Sequence, residues 1–440
     1  MKRIFFVAIL GLLMVGAASA QQRFAASLNG LQEVPANNSA GRGSCTIVLN
    51  AAETSITVNC TFSGLSSNAN NGHIHGNAAV GVSAAVLFGF TGVPSATSGS
   101  IGPQVIAVTP TQVANMRAHL HYVNIHSVNF PGGEIRGQIK QVHTVYDRDG
   151  DGRTDITVFR QSNNTFYSLS SLTGAVDSLQ FGSGAGDNWL NNTCDFDGDG
   201  RGDPLIIGIG TGNRATWSIL QTGTNTLRNV VWGDFNAATG DTLAMADYDG
   251  DGKQDIAVYR RLTGIWNIIE SSTGNARYIA WGANTGSATT GDQPCVGDYD
   301  GDGKADPTAV RTESGQRVFY TLRSSDGQSV VTIFGASATD GFFFFAPFDI
   351  DGDGKQDIAV NRTVGTQRTY FIKRSSDNTV QVITWGASGT GSTAMFGDYD
   401  GDGKTDIVAR RTVAGQFEWY ILRSSDGGTT IATFGITGDQ

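Results

Sequence analysis

Apolar and polar positions follow one grammar through residues 143–440. Asp255-Ile-Ala-Val-Tyr-Arg260 is a β-branched and aromatic run of strand length. An approach run, Asp241-Thr-Leu-Ala-Met-Ala-Asp247, precedes it. A Gly- or polar-rich turn then leads to an aromatic run such as Ile265-Trp-Asn-Ile-Ile-Glu270 or Glu418-Trp-Tyr-Ile-Leu-Arg423. After a Ser-Ser-x-Gly-like turn, a fourth run closes on Phe181-Gly182, Trp232-Gly233, Trp281-Gly282, Phe334-Gly335, Trp385-Gly386 or Phe434-Gly435. Four short strands in about fifty residues predict one propeller blade. No such blade buries its own faces alone, so neighbours must stack. The second strand ends in Arg at Arg160, Arg260, Arg311, Arg362 and Arg411, with Gly208 at that place in the second unit. A residue recurring in nearly every blade points to blade packing, with Arg satisfying carbonyls or carboxylates and stacking on rings. The region is therefore predicted to be a β-propeller of about six four-stranded blades.

Between the first two strands of every unit lies a loop of the form Asp247-Tyr-Asp-Gly-Asp-Gly-Lys-Gln-Asp255. It occurs six times, at intervals of 48, 52, 51, 51 and 49 residues. The aspartates at loop positions 1, 3, 5 and 9 are Asp147, Asp149, Asp151 and Asp155; Asp195, Asp197, Asp199 and Asp203; Asp247, Asp249, Asp251 and Asp255; Asp298, Asp300, Asp302 and Asp306; Asp349, Asp351, Asp353 and Asp357; and Asp398, Asp400, Asp402 and Asp406. Such a cluster repels itself in a folded chain unless a cation sits in it. Hard cations take six to eight oxygens, and alternate residues of a tight loop can aim theirs at one point. Gly at position 6 permits the sharp turn. The pattern predicts six calcium loops. They are not EF-hands, which carry a bidentate Glu at position 12 between helices. Here that position is Val158, Ile206, Val258, Ala309, Val360 or Ala409, each inside a strand-like run.

Charge agrees with this reading. The formal net charge is −10, and −12 without Lys2 and Arg3, so six divalent ions would bring the remaining chain to about zero. The acidic balance describes metal sites and argues against nucleic acid, which calls for basic patches. Lys2 and Arg3 belong to an expected signal peptide over residues 1–20. Ile4 to Val15 is its apolar core and Ala18-Ser19-Ala20 its small-x-small cleavage site. The core is too short for a transmembrane helix and no later run approaches one. The protein is thus expected to be secreted, extracellular or at a cell surface.

Residues 22–142 lack the aspartate loop and hold five of the six histidines, with His143 at the boundary. This break marks a separate domain, read from its short strand-like runs as a β-sandwich, with one helical turn at Pro110-Thr-Gln-Val-Ala-Asn-Met-Arg117. Cys45 and Cys60 flank a hairpin-like segment and are expected to pair as a disulfide in an oxidising compartment. Cys194 and Cys295 precede two of the metal loops and read as buried free thiols. His73 and His75, two apart, point to one face of a strand. His119 and His121 repeat that spacing, and His126 is near in sequence. His73, His75 and His126 are a candidate second metal site for zinc or copper, against the alternative that the histidines hydrogen-bond loop backbone.

Two resemblances cover the chain. Leu28-Asn-Gly-Leu-Gln-Glu-Val-Pro35, His73-Ile-His-Gly76, Tyr122-Val-Asn-Ile-His-Ser127 and Pro131-Gly-Gly-Glu-Ile-Arg-Gly-Gln138 resemble the chordin-type (CHRD) domain. That resemblance implies an extracellular β-rich module and no particular activity. The aspartate loops and aromatic–Gly pairs resemble the FG-GAP/VCBS repeats, which include the calcium-bearing blades of integrin α-chain propellers. This implies calcium on the four aspartates of every loop.

The expected domain order is a signal peptide at 1–20, a CHRD-like β-sandwich at 22–142 and an FG-GAP/VCBS propeller at 143–440. No zincin helix or nucleophile elbow occurs, and the recurrent carboxylates are assigned to metal. The expected function is an exported calcium-binding adhesion or recognition protein without catalytic activity. Calcium would be structural, and an extracellular protein or polysaccharide would be the ligand of a face of loops. The alternative is an extracellular enzyme, either a propeller hydrolase or lyase on polysaccharide or a histidine–metal oxidoreductase in the first domain.

Overall fold

A computed structural model describes residues 22–440 except 51, 80, 142–144, 183–186, 190–193, 236–239, 284–290, 337–338, 343–347 and 389–391. The expected signal peptide lies outside the described residues. Among them, no helix is long and apolar enough to cross a membrane.

The first domain contains β1 (Gln22–Asn29), β2 (Arg42–Leu49), β3 (Ser55–Ser63), β4 (Ala69–Gly76), β5 (Val86–Gly89), β6 (Gly99–Ala107), α1 (Pro110–Arg117), β7 (His121–Ser127), β8 (Ile135–Gln138) and β9 (Lys140–Gln141). The strands form one sheet in the order β5-β4-β7-β8-β1-β2-β3-β6, with β9 on β1. The sheet folds on itself. Gly72 of β4 comes against Ile101 of β6, from the opposite end of the strand order. The expected sandwich is therefore one continuous sheet wrapped around one core. Period-two alternation fills that core with Ile56, Val58, Cys60 and Phe62 of β3, Cys45, Ile47 and Leu49 of β2, and Ile74, Val123 and Ile125 of β4 and β7. Cys45 and Cys60 are register partners on β2 and β3 and are disulfide-bonded. Helix α1 starts with a capping box between Thr109 and Gln112 and has Pro110 in its first turn.

Six further antiparallel sheets follow. A representative one contains Asp241–Leu243, Ile256–Arg260, Ile265–Ile269 and Ala276–Ala280 in sequence order. Each sheet packs on the next through its own apolar cluster. Trp217 and Ile219 of the second meet Leu243 and Val258 of the third, and Tyr370 and Ile372 of the fifth meet Phe396 and Ile407 of the sixth. The aromatic–Gly pairs stitch neighbours together. Trp232, Trp281 and Trp385 donate their indole N–H to Asn267, Tyr320 and Tyr420 carbonyls of the following sheet.

The ring closes between the sixth sheet and the first. Trp419 and Val408 share a cluster with Ile156 and Val158. Among the described residues the first sheet shows three strands, Ile156–Arg160, Thr165–Leu169 and Val176–Gln180, where four were expected, and the expected approach strand lies partly outside those residues. Its inner edge is covered instead by residues from the far end of the array. Phe159 and Gln440 exchange backbone hydrogen bonds of 3.2 and 2.9 Å. Arg160 grips Asp439 with two bonds of 2.7 and 2.8 Å. The same bidentate pair joins Arg260 to Asp241, Arg311 to Asp292 and Arg362 to Asp340. Arg160, Arg311, Arg362 and Arg411 also lie over Tyr167, Tyr320, Phe371 and Tyr420.

Candidate metal centres

The six loops are built alike. In the third, the Asp247 carboxylate accepts the amides of Gly250 and Gly252 at 2.6 and 2.9 Å. Both glycines have positive φ, +83° and +85°, so a side chain there would be strained. Asp249 accepts the Asp251 amide and Asp251 accepts the Lys253 amide. Asp255 is fully buried and accepts the Tyr248 amide at 2.8 Å. These bonds turn the carboxylates inward. Oxygens of Asp247, Asp249 and Asp251 lie within 4.8 Å of one another, as do those of the Asp195, Asp197 and Asp199 set and of the Asp298, Asp300 and Asp302 set. In the first loop the close set is Asp147, Asp149 and Asp155. In the fifth and sixth loops Asp349 and Asp398 again gather the amides of the two glycines. Asp357 and Asp406 again take the position-2 amide.

Two features of the loops were missed in the sequence. The Ser-Ser turn between the third and fourth strands is a lid on the carboxylates. Ser271 donates its amide to Asp255 and its hydroxyl to Asp251, and Ser272 donates its hydroxyl to Asp249 at 2.6 Å. Ser170 and Ser171, Ser324 and Ser325, Ser375 and Ser376, and Ser424 and Ser425 do the same, and Thr222 takes the place in the second unit. The recurrence of a hydroxyl residue 15 to 19 residues after position 9 in every unit was the available signal.

The loops are also chained to one another. The amide of position 8 donates to the position-1 carbonyl of the preceding loop. The pairs are Gly202 to Asp147, Gln254 to Asp195, Ala305 to Asp247, Gln356 to Asp298, Thr405 to Asp349 and Thr154 back to Asp398, at 2.5 to 2.8 Å. The position-7 side chain crosses the position-4 glycine of the preceding loop, as Lys304 does over Gly250 and Arg153 over Gly401.

Electrostatics define what these sites lack. Burial, reinforced by neighbouring aspartates, pushes the carboxyls up: Asp155 to about 6, Asp203, Asp255, Asp306 and Asp398 to about 7 and Asp349 to about 8. Asp147 and Asp298 are pushed well above the ordinary range by the same causes. The donor set is all oxygen, held in tight loops where four carboxylates outnumber the nearby cations, such as Arg153 on Asp151 and Arg374 on Asp351. It fits a hard divalent cation such as calcium.

The first domain rests on this loop face. Lys140 donates to the Gly303 carbonyl and Gln32 to that of Gly301 at 3.1 Å. Arg23 lies against Gly152, Gln141 against Gly200 and the His119 imidazole against Gly252. Of these, His119, Lys140 and Gln141 line an axial cavity of about 360 Å³ together with Asp195, Asp247 and Asp298. The face of loops expected to be open to a ligand is thus occupied by the chain's own first domain.

In that domain the strands bring together His73, His75 and His126, with one nitrogen from each within 4.8 Å of the others. They share the face of β4 and β7 opposite Ile74, Val123 and Ile125. Burial lowers the pKa values of His73 and His75. His119 and His121 go elsewhere. His121 packs under Gly76, and burial pulls it down to about 4. Cys194 and Cys295 form no disulfide, Tyr299 donates its hydroxyl to Cys295 Sγ, and burial pushes the two thiols up to about 12 and about 11.

Comparison with known proteins yields two family matches, a CHRD domain at residues 24–139 and an FG-GAP-like repeat at residues 349–409. No curated protein matches the chain in sequence. Among solved structures, TolB from Acinetobacter baumannii is similar at TM-score 0.42 and 12% identity, covering 73% of this chain and 78% of that one. AofleA from Arthrobotrys oligospora is similar at TM-score 0.36 and 10% identity, covering 73% and 84%. The chain joins a CHRD domain, residues 24–139, to an FG-GAP-like repeat, residues 349–409, which is one of six copies of the same loop-and-sheet unit.

Proposed function

We propose that the protein is an exported, calcium-binding adhesion or recognition protein without catalytic activity, in which about six calcium ions rigidify the propeller. The observation that carries this reading is the ring of six half-buried aspartate clusters, each closed by a hydroxyl lid and hydrogen-bonded to the next. Four carboxylates crowded together and partly withdrawn from water need a cation more than they need a substrate. Calcium bound there would hold both blade and ring, so that its binding energy becomes folding energy. With the first domain seated on the loop face, the ligand face of the propeller is the opposite one, where the Arg260–Asp241 type pairs sit at the other ends of the strands. An extracellular protein or polysaccharide would bind there.

The test is equilibrium dialysis of the mature protein against calcium. About six ions should bind per chain, and Asp251→Asn, Asp302→Asn and Asp353→Asn should each remove one. A chain that binds no calcium sinks the reading.

A further inference from the structure

We propose that His73, His75 and His126 form a single site for a borderline divalent transition metal, copper(II) or zinc(II), independent of the aspartate loops. Two of the three rings are fixed by backbone. Nδ1 of His75 lies 3.0 Å from the Ala84 carbonyl oxygen, and Nδ1 of His126 lies 2.9 Å from that of Pro131. A carbonyl only accepts, so in each ring Nδ1 carries the proton and Nε2 keeps a bare lone pair. This is the arrangement by which an outer hydrogen bond orients a metal-binding imidazole.

One nitrogen of each ring lies within 4.8 Å of the others. His75 is 9% exposed, and its Nε2 is buried without a hydrogen-bond partner. Nε2 of His126 faces Nδ1 of His73 at 3.1 Å. That gap is close to the roughly 3.4 Å between two nitrogens held tetrahedrally at about 2.1 Å from one ion. Without a metal this contact is a hydrogen bond, His73 Nδ1–H donating to the lone pair of His126 Nε2, and a bound ion would take the place of that shared proton. His73 stands edge-on to both His75 and His126, with centroids 5.5 and 5.0 Å away. The ring of His75 is further pinned flat against Tyr122 at 4.7 Å.

Strand register sets the trio. His73 and His75 share a face of β4, and His126, paired with Asn71, brings its ring to the same face from β7. Three neutral nitrogen donors suit copper or zinc and not calcium. His73 and His126 are only half-buried, which leaves one side of the trio open for water or a small ligand as the fourth partner.

The full chain, saturated with calcium so that the oxygen sites are filled, is titrated with copper(II) and followed by electron paramagnetic resonance. One copper per chain is expected, with hyperfine splitting from three nitrogens. His75→Gln and His126→Gln should each weaken binding by at least about 10–100-fold, the range that even outer partners reach. Asp177→Asn, an exposed carboxylate outside the aspartate loops, should leave it unchanged. Zinc competing the copper off, or failing to, assigns the preferred ion of the same site. Copper bound without nitrogen splitting, no stoichiometric copper, or undiminished binding in the His75 and His126 variants overturns the proposal. The spectrum of the unmodified chain decides the matter even if a variant fails to fold. Calcium counting is read separately, so either reading can fail alone.

Discussion

Buried carboxylates are treated differently in the two halves of the chain. In the first domain Glu134 is fully buried, and burial acts to raise its pKa. Hydrogen bonds from Ser127, Ser39 and Ser66 more than offset this and hold it below the ordinary value. In the propeller Asp255 is equally buried and also accepts backbone and serine hydrogen bonds, yet it is pushed up to about 7 by burial and by Asp249 beside it. Hydrogen bonds suffice for one buried charge. They do not suffice for four crowded at one point, because each added carboxylate raises the others. The sheet of the first domain is accordingly complete by itself, around one core and one disulfide. The propeller divides its core among separate clusters between blades and places its charge where an ion would complete it.

The largest effect expected from this contrast is a split response to chelation. A ligand at one hundred times its dissociation constant stabilises by about 2.7 kcal/mol per site, so six loops amount to on the order of 10 kcal/mol or more. Removing calcium should collapse hydrogen-exchange protection in strands such as Ile256–Arg260 while β2 and β3 keep theirs. Equal loss in both halves, or no loss in either, would break the contrast.

Next in size is the pH dependence of the metal-free protein. Asp203, Asp255 and Asp306 sit at about 7 when folded, against an ordinary 3.8. A folded pKa above the unfolded one means that the folded state keeps a proton which the unfolded state has released. The stability these groups lend is full below about pH 4 and is lost as pH rises through about 7, by on the order of a few kcal/mol per loop. Thermal unfolding in chelator should therefore fall in temperature from pH 5 to pH 8. In saturating calcium that slope should flatten to near zero, because the ion displaces the same protons and neither state then holds them above about pH 5. A chelated protein that grows more stable toward pH 8 would mean that the loops are not short of positive charge.

Much of this was legible in the sequence because it repeats. The aspartate spacing, the strand runs and the aromatic–Gly pairs each recur, and recurrence identifies a blade without any knowledge of neighbours. What was not legible depends on contacts made once. Asp439 reads as one more acidic residue, yet it pairs with Arg160 across the closure of the ring. Lys140, Gln141 and Arg23 carry no motif, His119 reads only as part of a histidine pair, and only the fold brings them onto the glycines of the loops. The serine lid sits between these cases. It repeats, but as a common turn, and its role appears only when Ser272 is seen against Asp249.

That lid gives the smallest and most selective test. Ser272 and Ser39 each donate a hydroxyl to a carboxylate at 2.6 Å, Ser272 to Asp249 in a calcium loop and Ser39 to Glu134 in the first domain. Replacing either by Ala removes one charge-assisted bond, worth about 1–3 kcal/mol. For Ser39→Ala the loss should be the same with and without calcium, since the pairing of Glu134 involves no ion. For Ser272→Ala it should depend on calcium, because Asp249 can turn its freed oxygen to a bound cation but only to water and like charge without one. The expected result is a clear loss in chelator and a loss below about 1 kcal/mol in saturating calcium, read as paired unfolding midpoints of the two variants. If both serines behave alike under both conditions, the loop carboxylates are held as Glu134 is, by hydrogen bonds alone, and the two halves of the chain do not differ in the way described.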